Sequence, residues 1–269
     1  DDGKWLRGVG CAIGFYGIGY GNGIPDIGSA VIELTDDGRV HLRISAVDYG
    51  QGSNTVFPQI LCQELHIQPD QLILTTGDTS LCPDSGSTVA SRQTYISGNA
   101  VRLACDKFKR KLVQATAAAL ACAPDACTYV NGTVQGPDQT LDLTCLAQMG
   151  SHKTQARFRA NTGTLDPETG QGDAYWPYAY GAQGVELSVN VDSGKVRLDR
   201  IVAAQDVGRA LNPQMVDGQV RGAVAMGIGL ALYEDYRVEN GIPLDRNFDT
   251  YRIPLATDLP PMEVLIVEE

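Results

Sequence analysis

Two stretches of the chain carry the same order of signals: a β-hairpin, a glycine-marked loop and a helix start. In the first, residues 30–34 and 40–44 flank the turn Asp36-Asp37-Gly38, and apolar and polar residues alternate on the second arm. Gly50-Gln51-Gly52 follows, and Ser53 opens an amphipathic helix with Val56, Ile60, Leu61 and Leu65 at helical spacing. Ser53 or Asn54 is the expected N-cap, with Pro58 deeper than the first turn. In the second stretch, residues 185–191 pair with 196–201 across Asp192-Ser193-Gly194-Lys195. Asp206-Val207-Gly208-Arg209-Ala210-Leu211 then leads to a helix with Asn212 as N-cap and Pro213 in its first position. Between these blocks lie a strand over 72–76, a polar loop over 80–97 and a long helix from about residue 98 to 120. A small hairpin about Asn131-Gly132 and a Gly- and Tyr-rich loop over 161–184 complete the order. Hairpins followed by helices, rather than regular βαβ units, predict an α+β fold of mixed sheets and packed helices. Identity between the two blocks is too weak to call them a repeat.

Charge and cysteine usage narrow the function. The 269 residues hold 21 Lys and Arg against 32 Asp and Glu, a net charge of −11 that disfavours a nucleic-acid backbone as partner. No apolar run reaches the ~18–20 residues of a membrane helix, so no membrane partner is expected. Asp1-Asp2-Gly3-Lys4 has no signal-peptide pattern and no start Met, so a longer parent chain is expected. Seven cysteines include no C-x-x-C pair; Cys122 and Cys127 are nearest, with no histidine beside them. They read as thiols of a reducing cytoplasm rather than a zinc or iron–sulfur site. His41, His66 and His152 are far apart, which gives a Ser-His-Asp or Cys-His catalytic group little support.

The glycine segments do not match the familiar phosphate-binding fingerprints. Neither Gly3-Lys4 nor Gly194-Lys195 is followed by the Ser or Thr of a Walker loop, and the run from Gly14 to Gly23 lacks dinucleotide spacing and a following helix. Three loops remain: Gly50-Gln51-Gly52, Ala90-Ser91-Arg92-Gln93-Thr94, and Asp206 through Gln219. Each sets small residues and a hydrogen-bonding side chain before a helix N-terminus, where free N–H groups and the dipole favour an anion. The Gln51 amide can donate and accept, and Arg92 is the one strong cation of the first two loops, suited to a phosphate or pyrophosphate. Together they point to a large polar ligand.

At these residues the chain resembles the molybdenum-binding subunit of the xanthine dehydrogenase/aldehyde oxidase family, in the half towards its C-terminus. The resemblance rests on Asp48-Tyr49-Gly50-Gln51-Gly52, Gly77-Asp78-Thr79, Ala90-Ser91-Arg92-Gln93-Thr94 with Gly98-Asn99-Ala100-Val101, and Asp206 to Pro213 with Gly218-Gln219 and Gly227-Ile228-Gly229. Within the family, the segments around Phe15 and from Ser91 to Ala100 look closest to the split molybdenum subunit of bacterial nicotinate dehydrogenase. The resemblance implies two molybdopterin-binding lobes, 1–180 and 181–269, the second truncated at its C-terminus. It implies that Gln51 and Gln219 are the catalytic-site residues contacting the cofactor, that Tyr49 lies near the metal, that Gly50 and Gly52 also bind the cofactor, and that Ala90, Ser91, Arg92, Gln93 and Thr94 hold the phosphate and cytidine parts of molybdopterin cytosine dinucleotide. Asp206 and Asn212 are further candidates. The resemblance further implies a metal held by the cofactor's sulfurs, with a terminal sulfur or selenium ligand, and not by protein side chains.

The implied activity is hydroxylation of an N-heteroaromatic ring or an aldehyde with water-derived oxygen. Electrons pass to iron–sulfur and FAD partner chains, and the other half of the molybdenum subunit completes the site. The general-base Glu of the family lies downstream of the stretch resembling Leu259-Pro260-Pro261-Met262, and neither Glu268 nor Glu269 matches it. Arg221 stands where relatives commonly carry Glu. The alternative is a non-catalytic acidic α+β module without cofactor.

Overall fold

The computed structural model describes residues 4–269; Asp1-Asp2-Gly3, the start of the segment without a signal-peptide pattern, lies outside the described residues. In chain order the elements are β1 (Trp5–Gly17), β2 (Ile27–Leu34), β3 (Val40–Ile44), α1 (Ser53–Leu65), β4 (Leu72–Thr76) and α2 (Gln93–Ala119). Then come β5 (Thr128–Val130), β6 (Thr133–Gln135), β7 (Thr140–Asp142), α3 (Leu143–Ala147) and β8 (Lys153–Arg159). The last are β9 (Tyr178–Asn190), β10 (Val196–Asp206), α4 (Pro213–Leu232), β11 (Val238–Glu239), β12 (Ile242–Pro243) and β13 (Met262–Val267). The chain forms two compact units: Gly17–Tyr178, and the residues up to Tyr16 together with Ala179–Glu269. The α+β class with mixed sheets holds.

The unit over 17–178 is built on a sheet of order β4-β3-β2-β8. The hairpin β2–β3 pairs Val31 with Arg43, turning at Gly38 with φ +82°, a conformation that favours glycine. Alternation sends Ala30, Ile32 and Leu34 of β2, and Val40, Leu42 and Ile44 of β3, to one face. That face packs on Phe57, Leu61 and Leu65 of α1 and on Val101, Cys105, Phe108 and Leu112 of α2, all in one buried core. Next to it, the three-stranded sheet β5-β6-β7 contains the expected Asn131-Gly132 turn, both residues at positive φ.

Strand β4 corrects one expectation. It runs parallel to β3, with Leu42 opposite Leu74, so β3, α1 and β4 form a βαβ crossover. The other unit repeats this plan in its sheet of order β1-β9-β10-β13. Strands β9 and β10 form the predicted antiparallel hairpin, and β13 lies parallel to β10 with Ala203 opposite Val264. Thus β10, α4 and β13 make a second crossover, over the small core of Ile201, Ala203, Val224 and Ile228. Hairpin, loop, helix and parallel strand therefore recur as a topology where sequence identity is faint.

Two helix starts also move. The residue before α1 is Gly52, at φ 94°, and no side chain caps from Ser53 or Asn54. Helix α2 begins at Gln93, five residues before the expected Gly98. Its polar first turns are satisfied along the helix: Ser97 Oγ donates to Gln93 Oε1, and Asn99 Nδ2 donates to the Tyr95 carbonyl. The polar segment over 93–97 thus imitates a loop in sequence.

Candidate functional site

In each crossover the predicted loop leaves the carboxyl end of a strand that has a parallel neighbour and enters a helix. Crevices at the carboxyl ends of parallel strands are where open α/β sheets place ligands. The loops over 46–52 and 77–92 leave β3 and β4, two adjacent strands, and they touch. Thr88 Oγ1 accepts from the Val47 N–H at 2.9 Å, and Tyr49 Oη donates to the Thr88 carbonyl at 3.1 Å.

Asp48 organises the first loop. Its carboxylate accepts from the N–H groups of Gly50 at 2.8 Å, Gly52 at 3.2 Å and Asn54 at 2.8 Å. Those donors, the Asn54 N–H foremost, hold its carboxyl below the usual range. Asp48 therefore does what the expected Ser53 or Asn54 cap would have done, and its charge faces the α1 N-terminus. Gln51 sits on this frame half-buried: its Oε1 accepts from the Tyr49 N–H, and its Nε2 donates to the Val47 carbonyl and to Ser53 Oγ. The Tyr49 side chain is 70% exposed beside it.

The second loop is arranged differently. Ala90 and Ser91 are consecutive non-glycine residues in the left-handed region, at φ 54° and 53°, a conformation with a steric cost. They bring the chain into α2, whose first turn has neither a side-chain cap nor an acidic residue. Ser91 and Thr94 are exposed there, while Gln93 is buried and donates to the Ser87 carbonyl and Thr88 Oγ1. The helix geometry leaves the first N–H groups of α2 without intrahelical partners. This end thus offers donors to an anion, whereas the α1 end carries Asp48.

Arg92, the cation that the sequence suits to a phosphate, is held inside the fold. It is 0% exposed, and its Nε donates to Asp26 Oδ1 at 2.6 Å. Nη1 donates to the carbonyls of Ser85 and Ser87, Nη2 donates to that of Ile27, and the guanidinium lies 4.8 Å from the centre of the Tyr20 ring. Its charge and donors are spent inside the fold, tying β2 and the 85–87 segment to the start of α2. Asp26, 1% exposed, is the site-supporting residue that sequence reading missed; a lone Asp before a strand gives no signal of a partner 66 residues away.

The remaining candidates lie in the other unit. Asp206 Oδ1 accepts from the Gly208 N–H at 2.8 Å, the same turn that Asp48 makes with Gly50. Asn212 is the N-cap of α4, its Oδ1 accepting from the Met215 N–H, with Pro213 in the first position. Gln219 is exposed in the second turn. Arg221 is neutralised locally by both carboxylate oxygens of Asp217 and donates to the Met262 carbonyl. Glu268 accepts from the Ala210 N–H at 2.7 Å and so supports the 206–212 loop. An open groove of about 410 Å³ in this unit is lined by Ile13, Phe15, Tyr16, Gln183 and Gln205 among others, and by none of the candidates.

Histidine chemistry and side-chain metal binding find no frame. His41 bonds Thr75, His152 bonds the Leu146 carbonyl, and His66 ends α1 in a left-handed conformation. Among the described residues no group of three or more His, Cys, Asp or Glu could hold a metal, and none of the helices is long and apolar enough to cross a membrane.

Known proteins resemble the chain over nearly its whole length. A putative xanthine dehydrogenase molybdenum-binding subunit of Escherichia coli is 30% identical over 273 residues, covering 99% of this chain and 36% of that protein. The 6-hydroxypseudooxynicotine dehydrogenase complex subunit gamma of Paenarthrobacter nicotinovorans is 30% identical, over 98% of this chain and 33% of its own length. The crystal structure of the aldehyde oxidoreductase from Desulfovibrio desulfuricans superposes with a TM-score of 0.82 at 31% identity, covering 98% of this chain and 27% of that one. The chain thus spans about a third of the curated relatives it matches. Residues 1–260 match the molybdopterin cofactor-binding domain, and the chain belongs to that family.

Proposed function

We propose that this chain is the molybdopterin-binding part of a molybdenum hydroxylase that oxidises an N-heteroaromatic ring or an aldehyde with water-derived oxygen, and that its cofactor is the cytosine dinucleotide form. The observation that carries the reading is the α2 N-terminus, uncapped and free of acidic residues, in a chain of this family. A phosphorylated cofactor fits there because the first-turn N–H groups need acceptors and the helix dipole favours negative charge. Ala90, Ser91, Gln93 and Thr94 hold the phosphate and cytidine parts, with Arg92 fixing the backbone they belong to.

When bound, the cofactor supplies the metal centre that takes two electrons from the substrate carbon. The protein binds and orients it. Gln51, with Tyr49, Gly50 and Gly52, presents a carboxamide that can donate and accept from a loop held by Asp48. Gln219 offers a second carboxamide from α4, and Asp206 and Asn212 fix the loop and helix start that carry it. Glu268 accepts from the Ala210 N–H and supports the 206–212 loop; the proton acceptor such a hydroxylation needs is expected from a partner polypeptide. Iron–sulfur and flavin partners then receive the electrons. Exposed Val9, Ile13 and Phe15 on β1 and Met226 and Leu230 on α4 supply apolar surface of the kind a partner covers.

The test is turnover of the assembled enzyme in isotopically labelled water, with N-heteroaromatic and aldehyde substrates. The label is expected in the product. Gln51→Ala and Gln219→Ala are each expected to lower kcat/KM about tenfold or more, roughly 1.4 kcal/mol of transition-state stabilisation, with the far-ultraviolet circular dichroism retained. Product oxygen drawn from dioxygen, or wild-type turnover in both variants, contradicts the reading.

A further inference from the structure

The cofactor reading leaves one cluster of reactive side chains unused, at the far end of α2. The chain leaves that helix through Ala121 at φ 53°, and the Cys122 N–H bonds the Ala117 carbonyl. A single 3-10 turn over Pro124–Ala126 then reverses it, and the Cys127 N–H bonds the Pro124 carbonyl just before β5. This reversal brings Cys122 Sγ and Cys127 Sγ to 3.5 Å, both as free thiols. The two sulfurs differ in access, Cys122 being half-buried and Cys127 6% exposed. A Cβ on Gly136 would come within 2.5 Å of Leu120 and 3.7 Å of Cys127 Sγ, so the backbone at the end of β6 closes over the buried side of the pair.

We propose that Cys122 and Cys127 form a redox-active dithiol that a low-molecular-weight disulfide closes into an intrachain disulfide, fastening the end of α2 to the β5–β7 sheet. Cys122, the accessible sulfur, reacts first: its thiolate attacks one sulfur of the oxidant, forms a mixed disulfide and releases one small thiol. Cys127 then loses its proton, attacks Cys122 Sγ and expels the second small thiol. Two protein thiols are oxidised, one disulfide is reduced to two thiols, and the two protons leave on those products. Burial pushes the Cys127 thiol up, which keeps it protonated and leaves the first attack to Cys122. The sulfurs must close from 3.5 Å to the bonded ~2.05 Å, within a loop of four intervening residues. Helix α2 runs for 27 residues, about 40 Å at 1.5 Å per residue, so the dithiol is remote from the 90–94 segment and independent of cofactor binding.

The test treats the intact protein with oxidised glutathione, then alkylates and digests it with trypsin. Cys122, Cys127 and the exposed Cys145 fall in one peptide, residues 112–153. The expected peptide is lighter by two hydrogens and alkylated at Cys145 alone, and dithiothreitol restores alkylation of all three. Cys127→Ser is expected to trap Cys122 as its glutathione adduct. Full alkylation of Cys122 and Cys127 after treatment, or a glutathione adduct that persists on Cys122 of the wild type, overturns the proposal. The wild-type result decides even where the variant fails to fold.

Discussion

Asp48 and Asp206 stand in the same relation to the glycine two residues on, each accepting its N–H at 2.8 Å. The sequence displays both Asp-x-Gly motifs, yet it credits the α1 cap to Ser53 or Asn54 because it ranks residues by position and cannot see a carboxylate folding back over six residues. Since the bonded carboxylate of Asp48 has a lowered pKa, its stabilisation is present above the unfolded value of ~4 and is lost as pH falls through the lower folded value. In urea titrations, wild type is therefore expected to exceed Asp48→Asn in stability at neutral pH by more than it does at about pH 3. A difference independent of pH would mean that the loop bonds do not need the charge. Arg92 was legible as a cation but not as a buried one, because Asp26 and the carbonyls of Ser85, Ser87 and Ile27 reach it only through the fold. Removing it leaves Asp26 as an uncompensated buried charge, so Arg92→Ala is expected to cost about 3–5 kcal/mol in chemical denaturation. A loss below about 1 kcal/mol would mean the pair behaves as a surface salt bridge.

The hairpins and helices of both units were readable from alternation, turn glycines and helical spacing; their pairing was not. A short apolar segment such as 72–76 fits a hairpin partner and a crossover partner equally, and only the length of α1 and its packing on the sheet bring β4 alongside β3. The true start of α2 was hidden because its polar side chains are satisfied along the helix, Ser97 by Gln93 and Asn99 by the Tyr95 carbonyl. Its position depends on close contact at Gly28 of β2, where a Cβ would meet the Ile96 carbonyl oxygen at 2.7 Å and Ser97 Cα at 2.9 Å. Both neighbours are backbone, so they yield only if the helix start moves. Gly28→Val is accordingly expected to lower cofactor retention as well as stability, read as molybdenum per protein in the assembled enzyme together with the melting temperature. Full metal content in a variant with a reduced melting temperature would separate the helix start from cofactor binding.

For the whole molecule, the net charge of −11 disfavours a nucleic-acid backbone as partner, and residues 1–260 match the molybdopterin cofactor-binding domain. The chain supplies about a third of the length of its relatives. In the loops at the two crossovers, Gly50, Gly52 and Gly208 take positive φ. What the sequence could not supply was the contrast between the two helix ends of one unit, α1 already carrying Asp48 and α2 left open. That contrast is why we propose the 90–94 segment as the place of the cofactor phosphate. Its most direct test is the cofactor content of the purified, assembled enzyme: molybdenum by elemental analysis and nucleotide released by acid, for wild type and for Thr94→Glu, which puts a negative charge at the open end of α2. We predict stoichiometric molybdenum and a cytosine nucleotide in the wild type, with both lost from a folded Thr94→Glu protein. Wild type without either, or unchanged content in Thr94→Glu, would contradict the account.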